Sequence, residues 1–378
     1  MNNLKESKYL FDILYNFLGI NVELDKNISS LNLEKILYQA TLHRITPVIY
    51  HYFFNENITS KINNNIYKLL KTQYDISSYR DRMLSNEAHE ICRYAKKTDV
   101  DAMILKGPIL SNYLYNQQGL RMYGDIDILM NREDLSKGKK LISSLGYMQA
   151  NKNKDTDLLI EATRFDILKK EISSHETVEF YKNGQVNLLD EIIVDINHSV
   201  LWKKTTQINL FDDISTNTFL DNNFDYKFEG KKIVGPTPEL LFIHTCLHLY
   251  SEAVLFCWQY SWHKNWGDIE MIKYLDIGLL MNKEIDWDIV NSYIEDKDFR
   301  VGIEFVISNF NILFPIFPIP KLLKKYVNSE SKVNYYYTCK GEIKHWNNSL
   351  KDRVFNQNIR LEDVLNNTKK GDLLKKNE

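Results

Sequence analysis

Residues 121–130 read RMYGDIDILM, a turn followed by an alternation of acidic and aliphatic residues. Such alternation is typical of a β-strand, in which successive side chains point to opposite faces. Asp125 and Asp127 are therefore predicted to share one face of the strand. Because two carboxylates on one face repel each other unless a cation lies between them, the pair favours a hard metal such as magnesium, and a solvated strand edge is the alternative.

A strand and a tight turn are predicted just before this stretch. Residues 100–105 (VDAMIL) form a short apolar run that ends at 106–108 (KGP), and proline is favoured at the first position of a helix. The glycine lets the backbone approach a ligand, and the N-terminus of the following helix offers unpaired N–H groups and the positive end of its dipole. The sequence therefore predicts a strand–turn–helix segment that suits a triphosphate.

A third acidic residue lies on a predicted strand further along the chain. Two strands are expected over 176–181 and 187–196, joined by a hairpin turn at 182–184 (KNG). The second strand carries Asp195, a lone acid in an aliphatic run, and a carboxylate buried there needs a partner. Asp195 is thus a third candidate acid, with a satisfied structural carboxylate as the alternative.

Two smaller features follow from turn and capping residues. The sequence predicts a helix over 132–144, with Asn131 as its N-cap and Asp134 as the reciprocal capping residue. A hairpin is predicted over 228–234, with its turn at Glu229-Gly230.

Helical spacing of apolar residues dominates both ends of the chain. It predicts an N-terminal helical region over 1–97, an α/β core over 98–235 and a C-terminal helical domain over 236–365. Residues 366–378 are polar and rich in lysine, which predicts a flexible tail. The predicted fold class is α/β (α+β), with a short mixed sheet flanked by helices.

Composition and charge narrow the classes of function. The 378 residues carry 48 basic and 50 acidic side chains, a net charge of -2, so long nucleic acid is not an expected partner. The four cysteines form no CxxC pair, which argues against a disulfide framework and against a zinc ribbon. Because no stretch approaches the ~18 apolar residues of a membrane span and no signal peptide is apparent, the sequence predicts no membrane partner and a cytoplasmic location.

The motifs around the aspartates resemble those of the bacterial nucleotidyltransferase-like family of the DNA polymerase β superfamily. Members show an LKG turn, an R-x-x-x-D-x-D-L-L-V strand and a trailing L-x-x-x-G-Y, to which 104–107 (ILKG), 121–130 and 145–147 (LGY) are similar. Residues 194–197 (VDIN) look like the third acidic strand of the family, and the likeness covers roughly 99–313. The resemblance implies a polymerase β-type nucleotidyltransferase core.

The resemblance also implies metal-assisted nucleotidyl transfer. An NTP, by default ATP, would donate its nucleoside monophosphate to a hydroxyl of an unknown acceptor, which is a small molecule, a peptide or a protein. Asp125 and Asp127 would hold two Mg²⁺ ions, with Mn²⁺ as a substitute, and Asp195 would help to bind the ion that activates the acceptor hydroxyl. The three aspartates are thus the expected catalytic and metal-binding residues.

Lys106, Gly107 and Arg121 are the expected nucleotide-binding residues. Cations beside a transferring phosphoryl group offset its developing negative charge, and the guanidinium fork of Arg121 matches phosphate geometry in a bidentate manner. Two positions depart from the family pattern. Pro108 replaces the usual Ser or Gly and removes one N–H donor from the turn, and Asn197 stands where related sequences often have His.

Two other readings stay open at this point. The chain could be a non-catalytic member that binds a nucleotide or a partner protein, for example as one half of a toxin–antitoxin pair or as a regulator. It could also be a kinase-like phosphotransferase, although neither a Walker motif nor the protein-kinase motif set is present in the sequence. Release of pyrophosphate rather than ADP separates nucleotidyl transfer from phosphoryl transfer.

Overall fold

A computed structural model describes residues 4–24, 27–153, 156, 158–184, 191–200, 214–255, 269–295, 297–338, 341–356, 358–360 and 362. The tail predicted over 366–378 lies outside these residues. The described chain divides into two compact units, one formed by residues within 4–73 and 245–362 and the other by residues within 74–200 and 214–244. The domain limits at residues 97 and 235 stay predictions of the sequence.

Helices and strands alternate through the middle of the chain, whereas helices dominate towards both ends. The described α-helices are α1 (Leu4–Phe17), α2 (Leu33–Leu42), α3 (Thr46–Asn55), α4 (Asn64–Lys97), α5 (Pro108–Leu114), α6 (Leu135–Ser144), α7 (Arg164–Ser173), α8 (Thr216–Asp221), α9 (Pro238–Val254), α10 (Met271–Met281), α11 (Trp287–Ile294), α12 (Arg300–Leu313), α13 (Glu330–Val333) and α14 (Leu350–Phe355). The described strands are β1 (Ala102–Ile104), β2 (Asp125–Met130), β3 (Met148–Lys152), β4 (Leu159–Glu161), β5 (Phe180–Asn183), β6 (Glu191–Asn197), β7 (Asn223–Phe228), β8 (Lys231–Pro236), β9 (Tyr335–Tyr337) and β10 (Ile343–His345).

A mixed sheet organises the second unit. Its six strands lie in the order β1-β2-β6-β5-β3-β4. The neighbours β2 and β6 are parallel, and the other neighbouring pairs are antiparallel. The predicted α+β fold with a short mixed sheet is therefore confirmed.

The two parallel strands have one aliphatic face and one acidic face. Ile126 and Ile128 of β2 and Val194 and Ile196 of β6 are at most 1% exposed. Burial of each such side chain stabilises the fold by roughly 1.5–3 kcal/mol. Since side chains alternate along a strand, the intervening positions, which carry the aspartates, lie on the opposite face.

The predicted hairpin near residue 230 is confirmed as β7 and β8. Its turn residues Glu229 and Gly230 both have positive φ, 43° and 77°, as a two-residue turn of type I′ requires. The two strands form a separate antiparallel sheet.

The predicted turn at 182–184 is wrong in its position. Lys182 and Asn183 remain in strand β5, where they pair with Ile192 and Glu191 of β6. The Lys182 ammonium lies 2.9 Å from Glu87 Oε2, and this ion pair ties the residue to the body of the unit. Tertiary contacts therefore override a local turn signal, and the connection to β6 begins after Asn183.

The predicted capping box at Asn131 is also absent. Residues Arg132–Asp134 form a 3₁₀ turn, and the Asn131 side chain makes no capping hydrogen bond. The Asp134 carboxylate instead lies 3.0 Å from Lys137 Nζ. Helix α6 consequently begins at Leu135, three residues later than predicted.

Several elements were not predicted. Strands β3 and β4 and helix α7 fill the segment before β5, which itself begins at Phe180 rather than at residue 176. Short strands β9 and β10 form a hairpin in the first unit. These strands are only three to five residues long, too short for apolar alternation to stand out.

The first unit contains helices around an aromatic core. The ring of Phe314 lies 5.1–5.5 Å, centroid to centroid, from the rings of Phe11, Tyr15 and Phe310. Edge-to-face and offset contacts of this kind add to the stabilisation from burial. Among the described helices of the chain, none has the length and apolar character needed to cross a membrane.

Candidate functional site

Three aspartates from two parallel strands lie close together on the acidic face of the sheet. Asp127 of β2 is the direct register partner of Asp195 of β6, and Asp125 lies two residues before Asp127 on the same face. One carboxylate oxygen from each of the three lies within 4.8 Å of the other two. The structure therefore brings together the three acids that the sequence analysis singled out.

Burial makes the charged forms of two of these acids unfavourable. Asp127 and Asp195 are 7% and 9% exposed. Burial raises the pKa of Asp127, with Lys106 opposing this effect and Asp125 adding to it. Burial also raises the pKa of Asp195, and the nearby carboxylates of Asp127 and Asp125 raise it further. Repulsion between neighbouring carboxylates is therefore built into the site.

Lys106 lies beside the aspartates. Its Nζ is 3.3 Å from Asp127 Oδ2, and its side chain is 21% exposed. Asp195 Oδ1, by contrast, is buried and has no hydrogen-bond partner within the described chain. A buried carboxylate oxygen without a donor is costly, so this atom marks a place where a cation would be stabilising.

Gly107 shapes the turn that leads away from Lys106. Its φ of 56° and ψ of -101° are close to those of the first central residue of a type II′ turn, which favours glycine. A Cβ at this position would lie 3.1 Å from the Asp125 backbone oxygen and 3.2 Å from the Tyr123 ring. The glycine therefore allows the turn to pack directly against the start of β2.

Two backbone donors at the start of α5 are engaged within the turn, and a third is missing. Pro108 has no N–H, the Ile109 N–H donates to the Lys106 carbonyl at 3.2 Å, and the Ser111 N–H donates to the Gly107 carbonyl at 3.0 Å. Residues 108, 109 and 111 therefore contribute no spare backbone donor for a phosphate, which gives the side-chain cations near the turn more weight in such an interaction.

Arg121 lies in a different environment from Lys106. It is 8% exposed, and its guanidinium carbon lies 5.7 Å from the centroid of the Tyr123 ring. The Tyr123 hydroxyl in turn donates to Asp81 Oδ1 at 2.7 Å. A role for Arg121 in nucleotide binding stays a prediction of the sequence.

Asp81 on α4 holds the segment between α5 and β2, and the sequence analysis missed it. Its carboxylate accepts hydrogen bonds from the Ser111 hydroxyl at 2.7 Å, the Gly119 N–H at 2.8 Å and the Tyr123 hydroxyl. A signal was present, because Asp81 falls at helical spacing with the buried residues Leu84 and Ala88. An acid on the apolar face of a helix requires such donors.

A second missed group lies between α7 and β5. The Lys170 ammonium is 2.5 Å from Glu176 Oε1, and Glu176 forms an isolated β-bridge with Asn197 at the end of β6. Burial tends to raise the pKa of Glu176, but His175, Lys170 and Lys106 together outweigh burial and lower the pKa. The negative charge of Glu176 in turn raises the pKa values of Asp127 and Asp195.

The donor set fits a hard divalent cation. Carboxylate oxygens are the ligands that Mg²⁺ and Mn²⁺ prefer, and the three aspartates supply them without a histidine or cysteine. The unpartnered Asp195 Oδ1 supports the same conclusion. Asp125, Asp127 and Asp195 are the residues that could hold such an ion.

Comparison with protein families gives one match that spans most of the chain. The model of a family described as "uncharacterised nucleotidyltransferase" matches residues 29–315, which include all three aspartates and the turn at Gly107. Comparison with curated proteins and with solved structures gives no significant match.

Proposed function

The chain belongs to the uncharacterised nucleotidyltransferase family, and we propose that it is a metal-dependent enzyme that transfers a nucleoside monophosphate from an NTP to a hydroxyl group. The acceptor would be a small molecule, a peptide or a protein. The observation that carries the proposal is the convergence of Asp125, Asp127 and Asp195 from two parallel strands to within 4.8 Å. Family membership implies an NTP as the substrate, with ATP as the default.

The three aspartates would act as the metal ligands. Asp125 and Asp127 would hold Mg²⁺, or Mn²⁺ in its place, and Asp195 would complete the set from the neighbouring strand. Divalent cations at this position would stabilise negative charge on the triphosphate and lower the pKa of the acceptor hydroxyl. Because Asp127 and Asp195 are buried, a reaction beside them would take place where water is scarce and electrostatic interactions are stronger than in solvent.

Lys106 and Gly107 would contribute to nucleotide binding from the turn after β1. The Lys106 ammonium lies at the edge of the carboxylate cluster, where it could offset charge on a phosphate. Gly107 has no side chain to contact the nucleotide, and its contribution would be to let the turn approach Asp125 closely. Arg121 is proposed as a further cation for the phosphates, supported by the family-like motif in which it stands.

Labelled nucleotides test the proposal directly. The protein is incubated with each of the four NTPs, labelled at the α-phosphate, together with Mg²⁺ and cell extract, and label transfer and pyrophosphate are both measured. We expect transfer with at least one NTP, and loss of transfer by a factor of at least about 100 in Asp125→Ala and Asp127→Ala. Asp101→Ala, at an exposed aspartate just before β1, is the matched control and should retain transfer.

The outcomes separate the alternatives. Label transfer that survives both substitutions would contradict the proposed site. Release of ADP in place of pyrophosphate would indicate phosphoryl transfer. Nucleotide binding with no transfer and no pyrophosphate for any NTP would favour a binding or regulatory member of the family.

A further inference from the structure

Lys106 already supplies a positive charge to the carboxylate cluster. Its Nζ lies 3.3 Å from Asp127 Oδ2, an oxygen that is shielded from solvent. The other oxygen of this carboxylate has the Asn197 side-chain amide 3.5 Å away. A cation that approaches Asp127 Oδ2 would therefore meet the ammonium, and two positive charges at contact distance repel each other strongly.

We propose that Lys106 is the internal counter-ion of Asp127 and gives up this carboxylate to a divalent cation, which makes its ammonium available to the phosphates of the nucleotide. The inference rests on the proposed function and adds an order of events to it. Metal and Lys106 compete for Asp127, whereas nucleotide removes the competition because its phosphates attract the ammonium. Metal and nucleotide should therefore bind with positive cooperativity.

The structure allows the ammonium to move while the backbone stays in place. The Leu105 N–H donates to the Asp127 carbonyl at 3.0 Å, and Gly107 packs against Asp125, so the backbone on both sides of Lys106 is held to β2. The side chain, by contrast, is flexible along four carbons and is 21% exposed. A change of rotamer can carry the ammonium away from Asp127 without disturbing the strands.

Lys170 provides a matched comparison. It is a second lysine in the same region, and its ammonium pairs with Glu176 rather than with one of the three aspartates. Removal of either lysine changes the charge near the cluster by one unit. Only removal of Lys106 takes away a group in contact with Asp127, so the pair of variants separates direct competition from a general change in charge.

The test measures Mn²⁺ binding by the intact protein, from the electron paramagnetic resonance signal of free Mn²⁺, with and without a non-hydrolysable α,β-methylene ATP analogue. Without nucleotide we expect Lys106→Met to bind Mn²⁺ about tenfold more tightly than wild type, and Lys170→Met to change the affinity by less than about threefold. With Mn²⁺ present, Lys106→Met should bind the analogue about tenfold more weakly than wild type. Lys106→Arg, which keeps the charge, should stay near wild type in Mn²⁺ affinity.

These measurements distinguish failure of the inference from failure of the proposed function. Equal Mn²⁺ affinity in wild type and Lys106→Met would overturn the inference alone. An equal increase in Mn²⁺ affinity in Lys106→Met and Lys170→Met would do the same. Unchanged Mn²⁺ binding in Asp127→Asn would contradict the proposed metal site itself. If Lys106→Met does not fold without metal, Lys106→Gln carries the same comparison, since it also removes the charge.

Discussion

Asp127 and Asp195 are direct register partners on the adjacent parallel strands β2 and β6, and both residues are less than one-tenth exposed. Each carboxylate raises the cost of ionising the other, because they share a face of the sheet and a buried environment. Ionising both carboxylates within the fold therefore costs stability. A divalent cation between the carboxylates would relieve their repulsion, and this relief would add to the affinity for the metal.

Neutralising a single aspartate should weaken metal binding. We expect Asp195→Asn to reduce Mn²⁺ affinity by at least about tenfold, because it removes one charged ligand from the set while keeping the shape of the side chain. Titration calorimetry with Mn²⁺ measures the change. Asp134→Asn, at a residue paired with Lys137 beyond the end of β2, is the control and should leave the affinity unchanged. Equal affinity in Asp195→Asn and wild type would show that Asp195 is not a ligand.

The metal-free protein should lose stability as the pH rises. In the folded state the pKa values of Asp127 and Asp195 lie above the ordinary carboxyl value of 3.8, so folding favours their protonated forms. The stabilisation of the folded state by these two protonated carboxyl groups is complete at pH values below the ordinary carboxyl pKa. It is lost as the pH rises through their raised pKa values. The shift in melting temperature on addition of Mg²⁺ should consequently grow from about pH 5 to about pH 9.

Melting curves of wild type and Asp195→Asn across this pH range check that prediction. Without metal, the variant should show a weaker decline of melting temperature with pH, because its side chain does not titrate. Parallel declines in the two proteins would mean that other groups control the pH dependence.

A methyl group at residue 107 should disturb the metal site as well as the turn. Gly107→Ala forces an L-residue to a φ of 56° and places Cβ 3.1 Å from the Asp125 backbone oxygen. We expect a loss of roughly 1–3 kcal/mol in the free energy of unfolding and a fall in Mn²⁺ affinity. Gly146→Ala is the matched control, since it also has a positive φ, 89°, but a Cβ there meets nothing within 4 Å. Gly146→Ala should lose stability and keep its Mn²⁺ affinity. The same Mn²⁺ affinity in Gly107→Ala and Gly146→Ala would argue against coupling between the turn and Asp125.

The buried carboxylate on α4 should be a strong stability determinant. Asp81→Ala removes the carboxylate that accepts hydrogen bonds from Ser111, Gly119 and Tyr123, and we expect a loss of about 2–4 kcal/mol in the free energy of unfolding. Tyr123→Phe removes one donor from the same network and should cost about 1 kcal/mol. Urea unfolding measures both. Similar small losses in the two variants would show that Asp81 does not organise this segment.

Local sequence determined those features of the site that lie within a single strand or turn. Alternation over residues 125–128 was enough to place Asp125 and Asp127 on one face, because the side-chain period of a strand is two. A lone acid in an aliphatic run identified Asp195 as a buried carboxylate, and glycine before proline identified the turn before α5. These features are set by the residue and its near neighbours.

Tertiary structure alone decided which strands are neighbours and which charges meet. The β2–β6 register, the pairing of Lys106 with Asp127 and the bridge between Glu176 and Asn197 join residues 21 to 68 positions apart. No local period encodes such contacts. The turn predicted at 182–184 was wrong in its position for the same reason, since Lys182 and Asn183 pair with β6 and Lys182 also forms an ion pair with the distant Glu87. The periodicity of a strand determines the face of the sheet on which a side chain lies, whereas packing between elements determines which residue that side chain contacts.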